Sequence, residues 1–142
     1  KGNKLPWHYK EDMKYFKETT MNQKVIMGEL TFKSIISYIN KPLPGRTSVI
    51  ATLTDYKYPG VEVTNDIVTY IKEFPKDEEL FIIGGKIIYD LTLDLADRLY
   101  ITHVDGDYDG DVYFKEIDYS KYKKISERIN GDLNFSIYER IE

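Results

Sequence analysis

Leu80–Leu95, LFIIGGKIIYDLTLDL, is the stretch whose reading decides how this chain folds. Its first four residues, Leu80–Ile83, are continuously apolar, as a strand buried on both faces must be. The run passes directly into Gly84 and Gly85, after which Ile87, Ile88, Leu91 and Leu95 recur at the spacing of one helix face. Alternation of such strands and helices builds a mostly parallel sheet.

The same alternation is found upstream. Lys24–Gly28, KVIMG, is a buried strand ended by Gly28, and Phe32, Ile35, Ile36 and Ile39 mark a helix over Leu30–Ile39 that Pro42 and Pro44-Gly45 break. Thr47–Thr54, TSVIATLT, is β-branched and strand-like; Tyr58-Pro59-Gly60 turns the chain into a short strand at Val61–Thr64. Asn65 or Asp66 can cap the next helix, whose apolar positions are Ile67, Val68, Ile71 and Phe74, with Pro75 closing it. After Asp97 the pattern changes to a strand at Arg98–Asp105, an acidic loop at Gly106–Val112, and a hairpin of Tyr122–Ile129 and Leu133–Ile141 across Asn130-Gly131. The expectation is one α/β domain over residues 1–142: a mostly parallel central sheet, four flanking helices and an antiparallel hairpin at the C-terminal edge.

Composition narrows the function classes. With 31% charged and 42% hydrophobic residues the chain is an ordinary globular one, and its net charge of −4 with scattered lysines provides no nucleic-acid or lipid surface. No apolar run approaches the ~20 residues that cross a bilayer. Cysteine is absent and His8 and His103 lie far apart, so neither disulfides nor a metal centre are expected.

The chemistry centres on Leu5–Lys17, LPWHYKEDMKYFK. At helical spacing Tyr9, Asp12, Met13 and Phe16 share one face and Lys10, Lys14 and Lys17 the other, which points Asp12 inward. A lone inward carboxylate is costly unless it is paired, hydrogen-bonded or protonated, so a chain that keeps one usually needs it, and burial raises its pKa above the ~3.9 of a free Asp. An early-helix carboxylate that stays in water and favours the helix dipole is the competing reading.

Leu5-Pro6-Trp7, then Asp12 and Phe16, VIMG at 25–28, IIGG at 82–85 and YITH at 100–103 together resemble the dihydrofolate reductase family, bacterial type, in the right order along the whole chain. The resemblance implies that fold, and reduction of 7,8-dihydrofolate to 5,6,7,8-tetrahydrofolate with NADPH, in support of one-carbon metabolism and thymidylate synthesis. It makes Asp12, Trp7 and Thr102 catalytic: the acid holds the pterin, Thr102 bonds the acid and Trp7 closes over the site. Leu5, Phe16, Ile35, Leu43, Arg46, Ile83 and Tyr89 bind substrate, Arg46 clamping its glutamate carboxylate with a fork a lysine could not replace. Gly28, Thr31, Thr52, Gly84, Gly85, Lys86 and Ile87 hold the cofactor, and Asp111 orders the Leu5–Trp7 loop. Folate and antifolate inhibitors are the implied partners, in a cytoplasmic monomer that binds neither nucleic acid nor membrane.

Taken without the resemblance, Trp7, Phe16, Ile35 and Leu43 also suit plain core packing, Thr102 a strand, and Arg46 and Asp111 solvated loops. Three positions depart from the family: Lys10 where it has proline, Glu29 where it has a basic residue after the glycine, and Ile87 where it has a basic or polar one. An acid at 29 repels a 2′-phosphate and can accept from a ribose hydroxyl, so a weakened preference for NADPH over NADH is expected. The residues provide one strand fewer than the family's sheet. The strand lacking is the family's first, which leaves two unpaired strand edges and an incomplete enzyme as the expectation for residues 1–142 alone. The alternatives are a non-catalytic folate- or nucleotide-binding chain and a related pyrimidine reductase of riboflavin synthesis.

Overall fold

The apolar run KVIMG forms β1 (Lys24–Gly28), and Val25, Ile26 and Met27 are all fully buried in the computed structural model, which describes residues 10–104, 118–131 and 133–141, with only the backbone at 10–12, 102–104 and 130. Three consecutive buried residues require cover on both faces of the strand. One face carries Val25 and Met27 with Ile50, under Phe32 of α2 (Glu29–Ile39); Tyr56 and Tyr58 meet the Phe32 ring edge-on at 6.4 and 5.1 Å. The other carries Ile26, Val49 and Ala51, covered by Ile67 of α3 (Ile67–Glu73) and Ile88 of α4 (Lys86–Thr92).

β2 (Thr47–Ala51), β3 (Glu62–Thr64) and β4 (Leu80–Ile82) complete a parallel sheet in the order β3-β2-β1-β4. Because β1 lies at its centre, Ile26→Val is expected to destabilise the protein by roughly 1 kcal/mol, the usual loss for one buried methylene. Ile87→Val, at a position 73% exposed, should do almost nothing. Urea unfolding checks this as a shift in midpoint at constant slope for the first variant only.

A second, antiparallel sheet has the order β5-β7-β6, from β5 (Arg98–Val104), β6 (Tyr122–Asn130) and β7 (Leu133–Arg140). Tyr15 of α1 (Lys10–Thr20) stacks on Phe135 of β7 at 4.5 Å between ring centroids, and the Arg128 guanidinium lies over both rings. The chain thus forms two compact units, Lys17–Leu95 and the residues on either side of it. Among the described residues β4 has one strand neighbour, β1, and β5 has one, β7. No described helix is long and apolar enough to cross a membrane.

Several boundaries differ from expectation for local reasons. β2 ends at Ala51 rather than Thr54: Thr52 N still donates to Thr64 O at 3.0 Å, but the Thr52 carbonyl accepts from the Asn65 side chain instead of from a strand partner. Of the two candidate caps of α3 the structure uses Asp66, which accepts from Thr69 N at 3.1 Å, while Asn65 Nδ2 donates to Thr52 O at 2.6 Å. The helix after the glycine pair is α-helical only to Thr92 and closes as a 3-10 turn over Leu93–Leu95. Met13, expected on the inward face of α1, is 64% exposed, since the burial of that helix is concentrated toward Thr20.

Candidate functional site

The order in which the chain fills the parallel sheet fixes where a ligand can lie. From β1 it steps outward to β2 and β3, then returns to place β4 on the other flank of β1. The winding therefore reverses between β1 and β4, and in open parallel sheets nucleotides bind at such a reversal, outside the carboxyl ends of the strands. The residues there are Gly28 and Gly84, whose backbones touch: Gly28 N donates to Gly84 O at 2.8 Å.

Gly84 has a φ of +122°, which side-chain-bearing residues rarely adopt, and a Cβ there would meet the Tyr89 ring at 3.4 Å. Its peptide to Gly85 is cis. A Cβ on Gly85 would lie 3.4 Å from the Thr31 hydroxyl, so Gly85 and Thr31 are neighbours. α2 and α4 begin immediately after Gly28 and Gly85. First-turn N–H groups, a hydroxyl and bare glycine backbone together suit an anionic diphosphate. Gly28, Thr31, Gly84 and Gly85, separate in sequence, are one locus in the fold.

Beside it, where β1 and β2 end, Glu29 accepts from Thr52 Oγ1 at 2.7 Å and Thr54 Oγ1 at 2.8 Å, and pairs with Lys33 Nζ at 2.7 Å. The Lys33 ammonium first, and then the two hydroxyls, pull the Glu29 carboxyl down to about 2. A folded pKa below the ordinary 4.5 means that its contribution to stability is present above 4.5 and lost as pH falls from there through about 2. A carboxyl-carbon NMR titration should read a midpoint near 2 in the parent, and Lys33→Met should move it upward; a midpoint near 4.5 in the parent would show the network is not formed in solution.

Lys86, the other cation of this region, is paired with Asp90 at 2.9 Å, while Ile87 and Leu53 are exposed. Tyr89 packs its ring on Gly84, and burial pushes its hydroxyl up to about 12, so it stays a protonated donor throughout the physiological range.

Ile35, Leu43 and Ile83 are half-buried against the Val25, Met27, Phe32 and Ile50 cluster, forming a continuous apolar wall. Arg46, half-buried immediately before β2, donates from Nη1 to Thr20 Oγ1 at 3.2 Å; its Nε is buried and has no partner among the described residues. Desolvation lowers its pKa from the ordinary guanidinium value. A half-buried cationic fork whose Nε is an unsatisfied donor suits a carboxylate.

In the other unit, Asp12 lies in the first turn of α1, Thr102 on β5 opposite Phe135, and Phe16 is half-buried. The side chains of Asp12 and Thr102, and the whole of Leu5, Trp7 and Asp111, lie outside what the structure describes. No group of three or more metal-ligating side chains occurs among the described residues. Sequence reasoning passed over Thr20, because nothing local distinguishes a threonine at a helix end whose partner lies 26 residues away.

Comparison with known proteins places these features in a family. The family model described as dihydrofolate reductase matches residues 1–140. Dihydrofolate reductase of Bacillus subtilis is 35% identical over an alignment that covers 99% of this chain and 86% of the relative. That of Buchnera aphidicola is 40% identical, with 86% and 74% covered. The solved structure of dihydrofolate reductase from Enterococcus faecalis complexed with NADP(H) and RAB-propyl superposes with a TM-score of 0.84 at 30% identity, covering 100% of this chain and 88% of that one.

Proposed function

The chain belongs to the dihydrofolate reductase family, and on that premise we propose the following division of work among its residues as it reduces 7,8-dihydrofolate to 5,6,7,8-tetrahydrofolate with NADPH. The observation that carries the reading is the meeting of Gly28, Thr31, Gly84 and Gly85 at the reversal between β1 and β4.

That locus fits the cofactor's diphosphate, with Thr52, Lys86 and Ile87 around it. NADPH, when bound, supplies the hydride that the C6–N5 double bond of the substrate receives at carbon. Everything else falls to the chain. Asp12, at the head of α1, takes the pterin's 2-amino group and adjacent ring N–H in a two-point bond, which fixes the ring and favours the proton that N5 gains. Thr102 holds that carboxylate, Trp7 and Leu5 close over the ring, and Asp111 orders their loop. Phe16, Ile35, Leu43, Ile83 and Tyr89 exclude water from the ring and the benzoyl group. Arg46 holds the glutamate carboxylate. Residues 1–142 are read as a single catalytic domain and a cytoplasmic monomer, with folates and antifolates rather than nucleic acid or membrane as partners.

Steady-state kinetics with 7,8-dihydrofolate and with the ribitylated aminopyrimidine of riboflavin synthesis test the reading. The expected result is turnover of the folate alone; turnover of the pyrimidine alone overturns it.

A further inference from the structure

Arg46 is more firmly held than a loop residue needs to be. The loop before it is tied to the turn between α1 and β1 by Asn22 N donating to Gly45 O at 2.8 Å and Thr47 N donating to Gln23 O at 3.1 Å. Gly45 sits at a φ of +75°, and the space a Cβ would take there is already filled by the Met21 sulfur. Only glycine meets both conditions. The side chain of Arg46 itself is then held by Thr20, the last residue of α1, which is 2% exposed and whose Oγ1 accepts from Nη1 at 3.2 Å.

A guanidinium fork recognises a carboxylate through two parallel N–H groups, so the plane and the edge it presents decide whether the bond can form. With Nη1 committed to Thr20, the edge that carries Nε remains, and Nε is the atom that is buried without a partner among the described residues. We infer that Thr20 is a positioning residue for substrate binding: by holding Nη1 of Arg46 it turns the Nε edge of the guanidinium toward the glutamate carboxylate of dihydrofolate. This rests on the reading of Arg46 given above. Its consequence is that Thr20 acts on the tail of the substrate and not on the pterin.

The test compares Thr20→Val, Thr20→Ser and Arg46→Gln, and the double variant of the first and last, using dihydrofolate and a dihydropterin that lacks the benzoylglutamate tail. Thr20→Val is expected to raise KM for dihydrofolate roughly tenfold with kcat changed by less than about twofold, because a hydrogen bond to a charged group is lost from the binding step alone. Thr20→Ser, which keeps the acceptor, should restore the parent KM. In the Arg46→Gln background Thr20→Val should add nothing, since the two residues act as one.

An unchanged KM in Thr20→Val beside a weakened Arg46→Gln overturns the role of Thr20 and leaves that of Arg46 standing. An unchanged KM in Arg46→Gln overturns both. Equal losses on the tailed and tailless substrates overturn the inference in favour of general support of the fold, and thermal melts of every variant identify that case. If Thr20→Val fails to fold, Thr20→Ala carries the same comparison.

Discussion

Asp12→Asn is expected to lower the turnover of 7,8-dihydrofolate by about 10²- to 10⁴-fold, the usual contribution of a side chain that assists proton transfer. Asparagine preserves the shape of the side chain and loses its charge. An amide cannot accept two hydrogen bonds from the pterin edge through paired oxygens, nor favour a positive charge developing on the ring. The same substitution should leave the apo protein as stable as the parent or more so, because a carboxylate kept in an apolar stripe for function is held at some expense in stability. Single-turnover kinetics near neutral pH and urea unfolding separate these effects. Parent-like turnover in the variant would remove Asp12 from the chemistry.

Glu29→Arg is expected to increase the preference for NADPH over NADH by roughly ten- to a hundredfold, as charge-assisted hydrogen bonds to a phosphate replace repulsion. The geometry sharpens what the sequence suggested. Glu29 ties up the Thr52 and Thr54 hydroxyls and Lys33, three groups that could otherwise meet an adenosine 2′-phosphate, and Asp90 ties up Lys86. An acid in that position can instead accept from a free ribose hydroxyl. The parent enzyme should therefore discriminate weakly between the two cofactors. The ratio of kcat/KM values for NADPH and NADH decides it in both proteins: strong selectivity in the parent, unchanged by the substitution, would show that Glu29 points away from the ribose.

The elements were legible where burial is continuous. KVIMG and LFII read as strands because a parallel strand packed on both faces leaves no polar position, although β4 itself ends at Ile82, and the glycines that end or follow them mark where the sheet stops and helices begin. Contacts made by side chains far apart in sequence were not legible. TSVIATLT reads as a strand to its end, yet the side chain of Asn65, 13 residues on, takes the Thr52 carbonyl where a strand partner would, and no periodicity encodes that bond. Met13 fits the apolar stripe of α1 but is exposed, because spacing reveals which residues share a face and not how far along the helix that face is covered. Gly28 and Gly84 were each a weak signal alone, and became one locus only through the sheet order β3-β2-β1-β4. The Thr20–Arg46 bond had no sequence signal at all.

The most direct test of the central claim is the fate of the transferred hydrogen. Incubated with 7,8-dihydrofolate and NADPH deuterated at the reactive carbon of its nicotinamide, the protein should consume the two in equal amounts and yield tetrahydrofolate with deuterium at C6. Cofactor oxidation that does not depend on dihydrofolate, or tetrahydrofolate without deuterium at C6, would contradict the account.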